Sequence, residues 1–399
     1  MINIAILGFG VVGSGVAKLI TDNKREVTAL GGDEINIKYI LDLRDFPDSP
    51  FASRVIHDYS VIANDPEVSV VIEVMGGSHP AYEYTVAALK AGKSVITSNK
   101  EVVANFGDEF LALAKENGVC YRFEAAVGGG IPVISPMISC IGQNKISEVR
   151  GILNGTTNYI LTQMFTYGQS FDTALRDAQK KGYAESNPDA DILGTDACRK
   201  TAILTALISG KLLPTSDIHT EGITKIRDED VRAASKMGAT IKLVGRGICK
   251  DGELFAMVAP FIVPTVMSLS GVSGVYNAVE VIAEPLGNVM FYGQGAGAGA
   301  TASAVVGDLM QVMASGVNCA APVFEKCESI MPFESFESKH YLALCKACYE
   351  KVAARIAGST VIENGDEYAL ITPVISEGEL SAALSELGVT PKSHVRILA

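Results

Sequence analysis

Short apolar runs alternate with helix-like segments along the N-terminal part of the chain. The runs are INIAIL, INIKYIL, VSVVIEV and KSVIT, and their apolar residues are mostly Ile and Val. The segment SGVAKLI, which follows the first run, has apolar residues at helical spacing. Strands that alternate with helices are typical of a parallel sheet covered by helices. The pattern therefore predicts an α/β fold that begins with a Rossmann-type nucleotide-binding domain.

The remaining chain carries two further patterns. The segment GILNGTTNYILTQMF predicts a strand, a turn at Asn154 and Gly155, and a helix, while DACRKTAILTALISG predicts a helix that starts near Thr195. From His340 the segments are YLALCKA, YEKVAARIAG, STVIEN, EYALITPVI, GELSAALSEL and HVRILA. Their order is β-α-β-β-α-β, which predicts a small ferredoxin-like module.

Composition indicates a folded protein with a large apolar core. Of its 399 residues, 48% are hydrophobic and 20% are charged, and the formal net charge is −12. This charge excludes nucleic acid as the expected partner, because phosphate backbones need clustered Lys and Arg. The length exceeds that of one typical domain, so we expect two or three domains.

One uncharged stretch, residues 255–279, is long enough to span a bilayer. It contains Pro260, Pro264 and Asn277, which favour strands and turns over a lipid-embedded helix. The start MINIAILGFG lacks the basic region of a secretory signal. We therefore expect a cytoplasmic protein with no membrane partner.

The cysteines and histidines do not predict a metal site. Eight cysteines in a chain of this length do not form a disulfide framework, so free thiols in a reducing cytoplasm are the better interpretation. Cys345 and Cys348 form a CxxC pair with no second ligand pair nearby. The five histidines are scattered along the sequence and lack metal-ligand spacing.

A glycine loop follows the first predicted strand, in the sequence GFGVVG at residues 8–13. Gly8 permits a tight turn, Gly10 allows a pyrophosphate to approach the backbone, and Gly13 allows close packing of helix and strand. Phe9 and Val12 lie between these glycines. A tight turn without a ligand is the alternative interpretation. The position between strand and helix favours a nucleotide whose pyrophosphate meets the helix N-terminus.

The end of the second predicted strand carries residues that select the coenzyme. Asp42 is typical of an acceptor for the adenosine ribose hydroxyls, which favours NAD. Arg44 can instead meet the 2′-phosphate of NADP. The two residues point to different coenzymes, so the choice between NAD and NADP stays open.

Polar residues also follow the later apolar runs. Ser98 and Lys100 end the KSVIT strand, where the carboxyl edge of a parallel sheet forms the ligand crevice. Lys100 therefore points at cofactor or substrate, with a solvated loop lysine as the alternative.

Glu124 precedes three glycines and is either a buried acid at a turn or part of a monovalent cation site. Thr156, at a helix start, is either a capping residue or a substrate contact.

An acidic cluster lies in GYAESNPDADILGTDACRK, residues 182–200. Asp196 and Lys200 are four residues apart on a predicted helix, and an ordinary surface pair contributes only ~0.3–0.5 kcal/mol. That interpretation leaves out Glu185, Asp191 and Tyr183. Acids beside a lysine suit a ligand with an ammonium group and a reactive oxygen. The acids bind the ammonium, and the lysine protonates and stabilises the oxygen as an aldehyde is reduced.

Six motifs, in this order, carry a resemblance to a known family. They are LGFGVVGSGV, TSNKE, EAAVGGGIP, NGTTNYIL, GYAESNPDADILGTDACRK and GQGAGAGATASAVVGDL, and they span about the first 310 residues. In these motifs the chain resembles the homoserine dehydrogenases. The resemblance implies an NAD(P)-dependent oxidoreductase of threonine and methionine biosynthesis, which interconverts L-aspartate 4-semialdehyde and L-homoserine.

The resemblance also implies roles for individual residues. Lys200 would be the catalytic acid/base with Lys100 in support, and Glu185 and Asp196 would bind and orient the substrate's amino group. The implied NAD or NADP contacts are Gly10, Val12, Gly13, Ser98, Gly297 and Thr301. A sodium-type cation would lie at Glu124, with carbonyl ligands from Val127, Gly129 and Ile131.

The implied organisation has a discontinuous Rossmann domain at 1–135 plus about 296–318. An α+β catalytic and dimerisation domain covers 136–295, and its sheet would pair subunits into a homodimer or a higher assembly. A linker at 319–339 precedes a short ACT-like module at 340–399. The module lacks the Asp-x-Pro-Gly turn of many ACT modules, so binding of an amino-acid effector and a packing role stay open.

Two alternative functions remain for this sequence. One is an NAD(P)-linked dehydrogenase for a different amino acid, and the other is a non-catalytic, NAD(P)-binding amino-acid sensor. Lys200 and Lys100 disfavour the sensor, because a sensor does not need a proton donor.

Overall fold

The computed structural model describes residues 1–315 and 321–399. Within them, the N-terminal part forms a parallel sheet of six strands in the order β3-β2-β1-β4-β5-β6. The strands are β1 (Ile2–Leu7), β2 (Ile35–Leu41), β3 (Val55–Ile56), β4 (Val68–Glu73), β5 (Ser94–Thr97) and β6 (Tyr121–Arg122). The connecting helices are α1 (Val11–Asp22), α2 (Lys24–Gly31), α3 (Ser60–Ala63), α4 (Ala81–Lys90) and α5 (Lys100–Glu116). The predicted Rossmann-like parallel sheet is confirmed.

A helix from much later in the chain covers one face of this sheet. Helix α12 (Ala298–Ser315) places Ala302, Val305 and Leu309 in the same apolar cluster as Ile4 and Ile6 of β1. The shared core explains why the nucleotide-binding part needs a late segment. Residues 316–320, which belong to the predicted 296–318 segment and to the 319–339 linker, lie outside the described residues.

The middle of the chain builds a mixed sheet. Its strands are β7 (Lys145–Ile152), β9 (His219–Thr220), β10 (Ala239–Lys250), β11 (Glu253–Pro264), β12 (Tyr276–Glu284) and β13 (Gly287–Gln294). Its helices are α6 (Ile134–Ser139), α7 (Gly155–Tyr167), α8 (Phe171–Lys180), α9 (Asp189–Ile192), α10 (Thr195–Ser209) and α11 (Asp228–Lys236). Short strands β8 (Lys211–Leu212) and β14 (Glu325–Lys326) pair beside it.

The predicted local elements of this region are confirmed. β7 leads through Asn154 into α7, and α10 begins at Thr195. The uncharged stretch forms strands β11 and β12 with a turn between them. Among the described residues, no helix combines the length and the apolar character needed to cross a bilayer.

The C-terminal part contains the elements of the predicted β-α-β-β-α-β order and one additional two-residue strand before the second helix. It contains β15 (Glu337–Leu344), α13 (Lys346–Arg355), β16 (Thr360–Asn364), β17 (Glu367–Ile371), β18 (Ile375–Ser376), α14 (Glu377–Leu387) and β19 (Ser393–Ile397). Its sheet is continuous with the middle sheet, because β19 pairs in parallel with β11 through Phe261–Arg396 and Ile262–Ile397. The terminal part therefore shares one sheet with the middle part, whereas the sequence pattern predicts a separate module after a linker.

A charged network lies at this junction. Arg396 of β19 pairs with Glu377 at 2.5 Å and with Glu221, from the middle region, at 2.9 Å. His340 Nδ1 and His394 Nε2 are 2.9 Å apart, and Glu377 offers a ligand atom within 4.8 Å of both. His340 and His394 are far apart in the sequence and lack metal-ligand spacing, but the antiparallel β15–β19 pairing brings them together with Glu377 into a group that could hold a metal ion, which the sequence did not predict.

The cysteines also depart from expectation at one position. Cys140, Cys198, Cys249, Cys327, Cys345 and Cys348 are free thiols, as predicted. Cys120, directly before β6, is disulfide-bonded, which corrects the expectation of free thiols there.

Candidate active site

A cavity of about 660 Å³ lies between the parallel sheet and the mixed sheet. It is lined by many of the residues predicted from sequence, namely Val12, Ser98, Lys100, Val127, Gly129, Thr156, Tyr183, Asp191, Asp196, Lys200, Gly297 and Thr301. A second cavity, of about 680 Å³, lies near α1 and includes only Phe9 among the predicted site residues. The first cavity brings together the predicted catalytic lysines and acids, so it is the candidate active site.

Lys200 is held in place by two hydrogen bonds. It lies on α10, one turn after Asp196, and only 8% of its surface is exposed. Its Nζ donates to the carbonyl oxygen of Leu153 at 2.7 Å and to Asp196 Oδ2 at 2.8 Å. The Asp196–Lys200 pair is therefore a buried pair that lines a cavity, not the solvated surface pair of the alternative interpretation.

Asp196 joins two ammonium groups. Its Oδ1 lies 3.1 Å from Lys100 Nζ, and its Oδ2 accepts from both Lys200 and Asn154 Nδ2. Burial acts to raise the pKa of Asp196, but the nearby charges of Lys200 and Lys100 outweigh it and hold the pKa well below the usual range. Two ammonium groups against one carboxylate give these three side chains a formal net charge of +1. This charge suits an oxygen that becomes negative during reaction.

Asn154 is a site residue that the sequence analysis placed only in a turn. It caps α7 by accepting from Thr157 N–H at 2.9 Å, and its Nδ2 donates to Asp191 Oδ1 at 2.7 Å and to Asp196 Oδ2 at 2.9 Å. Burial and the charge of Asp196 raise the pKa of Asp191. The sequence signal for this role was the Asn-Gly pair at the end of a predicted strand, where ligand crevices form.

The loop before α9 reaches the cavity only in part. Thr156 Oγ1 donates to the carbonyl oxygen of Tyr183 at 2.6 Å, which fixes Tyr183 at the cavity edge. Glu185 is exposed, is not among the lining residues, and its carbonyl oxygen accepts from Gln179 at 3.1 Å. The structure thus does not bring Glu185 together with Asp196, and its substrate role stays a prediction.

The glycine loop has the geometry that its sequence predicts. Gly8 has φ +94°, and a Cβ on Gly13 would lie 2.0 Å from the Gly8 carbonyl oxygen. A Cβ on Gly10 would meet nothing within 4 Å, and the first turn of α1 has no side-chain cap. The loop therefore leaves open backbone N–H groups, which fit a pyrophosphate. Val12 extends from this loop into the cavity lining.

Asp42 and Arg44 interact with each other beside this loop. Asp42 Oδ2 accepts from Phe9 N–H at 2.7 Å, and Arg44 donates to both carboxylate oxygens at 3.0 Å. The hydrogen bond from Arg44 lowers the pKa of Asp42 to about 2. The carboxylate is thus fixed to the loop, whereas the Arg44 side chain is 64% exposed.

Glu124 uses its side chain within the protein. Its carboxylate accepts from the N–H groups of Val133, Ile134 and Ser135 at 2.6–2.8 Å. Its own N–H donates to Asp308, whose pKa is raised to about 7 by burial. Both Glu124 side-chain oxygens are therefore engaged, which leaves backbone carbonyl groups as the better candidates for a cation.

Further residues line the cavity that the sequence analysis did not single out. They are Ala125, Ala126, Gly155, Gly182, Val275, Gln294, Gly295 and Ala296. The run Gln294–Gly297 lies directly before α12, so the glycine-rich motif contributes more of its length than Gly297 and Thr301 alone.

Comparison with known proteins identifies the family. A family model described as homoserine dehydrogenase matches residues 132–310, and one described as homoserine dehydrogenase, NAD binding domain, matches residues 8–124. A homoserine dehydrogenase of Synechocystis sp. is 35% identical over 97% of this chain and 96% of its own length. The one from Bacillus subtilis is 39% identical, over 82% of this chain and 77% of its own.

Solved structures agree with this result. The crystal structure of a homoserine dehydrogenase from Thiobacillus denitrificans has a TM-score of 0.92 at 32% identity, covering 100% of this chain and 98% of that one. A hyperthermophilic archaeal homoserine dehydrogenase mutant in complex with NADPH has a TM-score of 0.67 at 29% identity, covering 78% and 97%. The chain therefore belongs to the homoserine dehydrogenase family.

Proposed function

We propose that Lys200 is the acid/base of an NAD(P)-dependent interconversion of L-aspartate 4-semialdehyde and L-homoserine. Family membership makes the chain an NAD(P)-dependent oxidoreductase and a homoserine dehydrogenase. The observation that carries the proposal is the position of the Lys200 side chain. It is buried, it lines the cavity, and its Nζ is held by hydrogen bonds to the carbonyl oxygen of Leu153 and to Asp196. A buried ammonium with two fixed acceptors and one remaining proton is well placed to act on a third oxygen.

The proposed chemistry divides between the two lysines. When bound, the reduced nicotinamide supplies a hydride to the aldehyde carbon. Lys200 then donates a proton to the aldehyde oxygen, and in the reverse direction it accepts the proton of the hydroxyl. Lys100, across Asp196, adds positive charge that stabilises the oxygen as its negative charge develops. Asp196 holds both ammonium groups in position.

The substrate's amino group is proposed to bind to the acidic side of the cavity. Asp191 and Asp196 are joined there by Asn154, and Thr156 positions the loop that carries Tyr183. Glu185 contributes its charge when the loop at residues 182–188 meets the substrate. In this proposal the substrate's ammonium lies at the acids and its aldehyde oxygen at Lys200.

The coenzyme is proposed to contact the glycine loop and the start of α12. Its contacts are Gly8, Phe9, Gly10, Val12, Gly13, Ser98, Lys100, Gly297 and Thr301. Asp42 favours NAD and an Arg44 released from Asp42 favours NADP, so both coenzymes are to be compared directly. An NADPH complex of a family member supports use of this coenzyme class.

Three finer features complete the proposal. A sodium-type cation would lie beside Glu124 and be held by the carbonyl groups of Val127, Gly129 and Ile131. Subunits would pair in a homodimer or a higher assembly through the mixed sheet, whose terminal strand β13 exposes Met290 and Tyr292. The C-terminal β-α-β-β-α-β part is proposed to be an ACT-like module, with either effector binding or subunit packing as its role.

A coupled assay tests the reaction directly. The purified chain is mixed with L-aspartate 4-semialdehyde and NADH or NADPH, and coenzyme oxidation is followed by absorbance. We expect oxidation that depends on the semialdehyde and fails with aldehydes that lack the α-amino group. Coenzyme binding without oxidation would instead support a sensor, and a faster rate with another amino-acid aldehyde would reassign the substrate.

A further inference from the structure

We propose that Cys345 and Cys348 form a dithiol–disulfide exchange site, at which Cys345 attacks a small-molecule disulfide and Cys348 resolves the intermediate. The site lies in the C-terminal part and shares no residue with the lining of the dehydrogenase cavity. Among the described residues, no second pair of metal ligands lies beside the CxxC pair, so its chemistry is that of a paired thiol.

The fold holds the two sulfur atoms together. β15 ends at Leu344, Cys345 is the N-cap of α13, and Cys348 lies in the first turn of that helix. The two Sγ atoms are 2.6 Å apart, which is about 0.6 Å more than an S–S bond of 2.03–2.05 Å. A disulfide can therefore close with little movement of the backbone.

The helix anchors this geometry and makes the two thiols different. Val352 is fully buried and Tyr349 stacks on Tyr368 of β17, which fixes the first two turns of α13 against the sheet. The Sγ of Cys345 accepts from the N–H of Cys348 at 3.3 Å, at the positive end of the helix dipole. Both features favour a thiolate at Cys345.

The protonation preferences agree with this division. The hydrogen bond between the two sulfur atoms lowers the pKa of Cys345 and raises the pKa of Cys348. Cys345 is exposed, whereas Cys348 is half-buried behind it. The accessible sulfur is therefore the nucleophile, and the sheltered one is the resolving thiol.

The reaction balances without any further reagent. The Cys345 thiolate attacks one sulfur of a disulfide RSSR, forms a mixed disulfide, and expels RS⁻, which takes up the proton lost from Cys345. Cys348 then loses its proton, attacks Cys345 Sγ, and expels the second thiolate. In sum, two protein thiols and RSSR give one protein disulfide and two RSH molecules, with the protein oxidised and the small disulfide reduced.

Oxidised glutathione serves as the probe in the test. The reduced full-length protein is equilibrated with it, the remaining thiols are blocked with iodoacetamide, and tryptic peptides are measured by mass spectrometry. Cleavage after Lys346 separates HYLALCK (340–346) from ACYEK (347–351), so these peptides stay linked only if the disulfide has formed. We expect the linked pair, and separate alkylated peptides after dithiothreitol. Separate alkylated peptides at every glutathione ratio would overturn the proposal.

Two variants separate the roles of the cysteines. In Cys348→Ser a mixed disulfide with glutathione should accumulate on Cys345. In Cys345→Ser the remaining Cys348 should react with oxidised glutathione about tenfold or more slowly than Cys345 does in Cys348→Ser, because Cys348 is half-buried and protonated. Cys140, which is exposed and has no second thiol beside it in the part of the chain that the structure describes, is the internal reference. Serine also caps helices, so both variants should fold and keep dehydrogenase activity. If Cys345 reacts no faster than Cys140, or if both variants trap glutathione equally, the assignment is wrong.

Discussion

Replacing Lys200 with Met tests the proposed acid/base without emptying its site. Methionine keeps most of the side-chain volume and removes the ammonium. General acid–base groups contribute about 10²–10⁴-fold to rate, so kcat should fall by that factor, equivalent to ~2.7–5.4 kcal/mol of transition-state stabilisation. Coenzyme affinity should not change, because Lys200 contacts Leu153 and Asp196 rather than the glycine loop.

The structure also indicates that this variant stays folded. A buried charge that loses its only partner costs about 3–5 kcal/mol. Asp196 keeps Lys100 at 3.1 Å and Asn154 at 2.9 Å when Lys200 is removed, so its carboxylate is not left alone. We therefore expect a stability loss below that range, measured by thermal unfolding.

A second buried lysine supplies the matched control. Lys242 donates to Asn158 and to the carbonyl oxygen of Val272, is 2% exposed, and does not line the active-site cavity. Lys242→Met should cost stability but leave kcat per folded molecule near that of the parent. The assay is coenzyme oxidation with semialdehyde, with coenzyme affinity measured separately by fluorescence. Parental turnover in Lys200→Met, or an equal loss in both variants, would refute the assigned role.

Three further predictions follow from local geometry. Gly13→Ala should lower the unfolding free energy of the coenzyme-free protein by ~1–3 kcal/mol, since its methyl group would meet the Gly8 carbonyl oxygen at 2.0 Å. Gly10→Ala, whose methyl group would meet nothing within 4 Å, should leave that unfolding free energy unchanged and weaken only coenzyme binding. Glu185→Gln should raise the KM for homoserine about tenfold to 100-fold, because a charged hydrogen bond contributes ~1.5–3 kcal/mol, with no change in melting temperature; an unchanged KM would remove Glu185 from the site. Burial, aided by the charge of Arg396, lowers the pKa of His394 to about 3, so the unfolded chain binds more protons between about pH 3 and pH 6.5. The free energy of unfolding should therefore fall as the pH drops below 6.5, by up to ~2 kcal/mol at pH 5 for this group. When the unfolding free energy is measured with denaturant at each pH, its dependence on pH in this range should be weaker for His394→Asn than for the parent.

Sequence patterns predicted the parts of the site whose geometry is local. The glycine loop was predictable because Gly8, Gly10 and Gly13 act within one strand–turn–helix unit. Asp196 and Lys200 were predictable as a pair because one helical turn separates them. The burial that turns this pair from a surface contact into part of a cavity depends on neighbouring elements, and helical spacing carries no information about it.

Long-range contacts account for what the sequence did not predict. Asn154 bonds to Asp196, 42 positions away, because β7 and α10 pack against each other. The Glu124 carboxylate accepts from the backbone N–H groups of residues 133–135. Because nearly every residue has such an N–H group, the sequence does not indicate which of them bind a carboxylate. Likewise, the proximity of His340 and His394 depends on strand register rather than on spacing along the chain.

The parallel pairing of β19 with β11 has a consequence for synthesis on the ribosome. Roughly 130 residues separate the two strands, which corresponds to roughly 6–26 s of translation at about 5–20 residues per second. During that interval the backbone edge of β11 at Phe261 and Ile262 lacks its native neighbour. The nascent chain thus presents an apolar, unpaired edge until β19 emerges, whereas the six parallel strands have all been made by Arg122. The order of emergence therefore favours early pairing of the six parallel strands, a core that is completed only when α12 emerges, and closure of the catalytic sheet last of all.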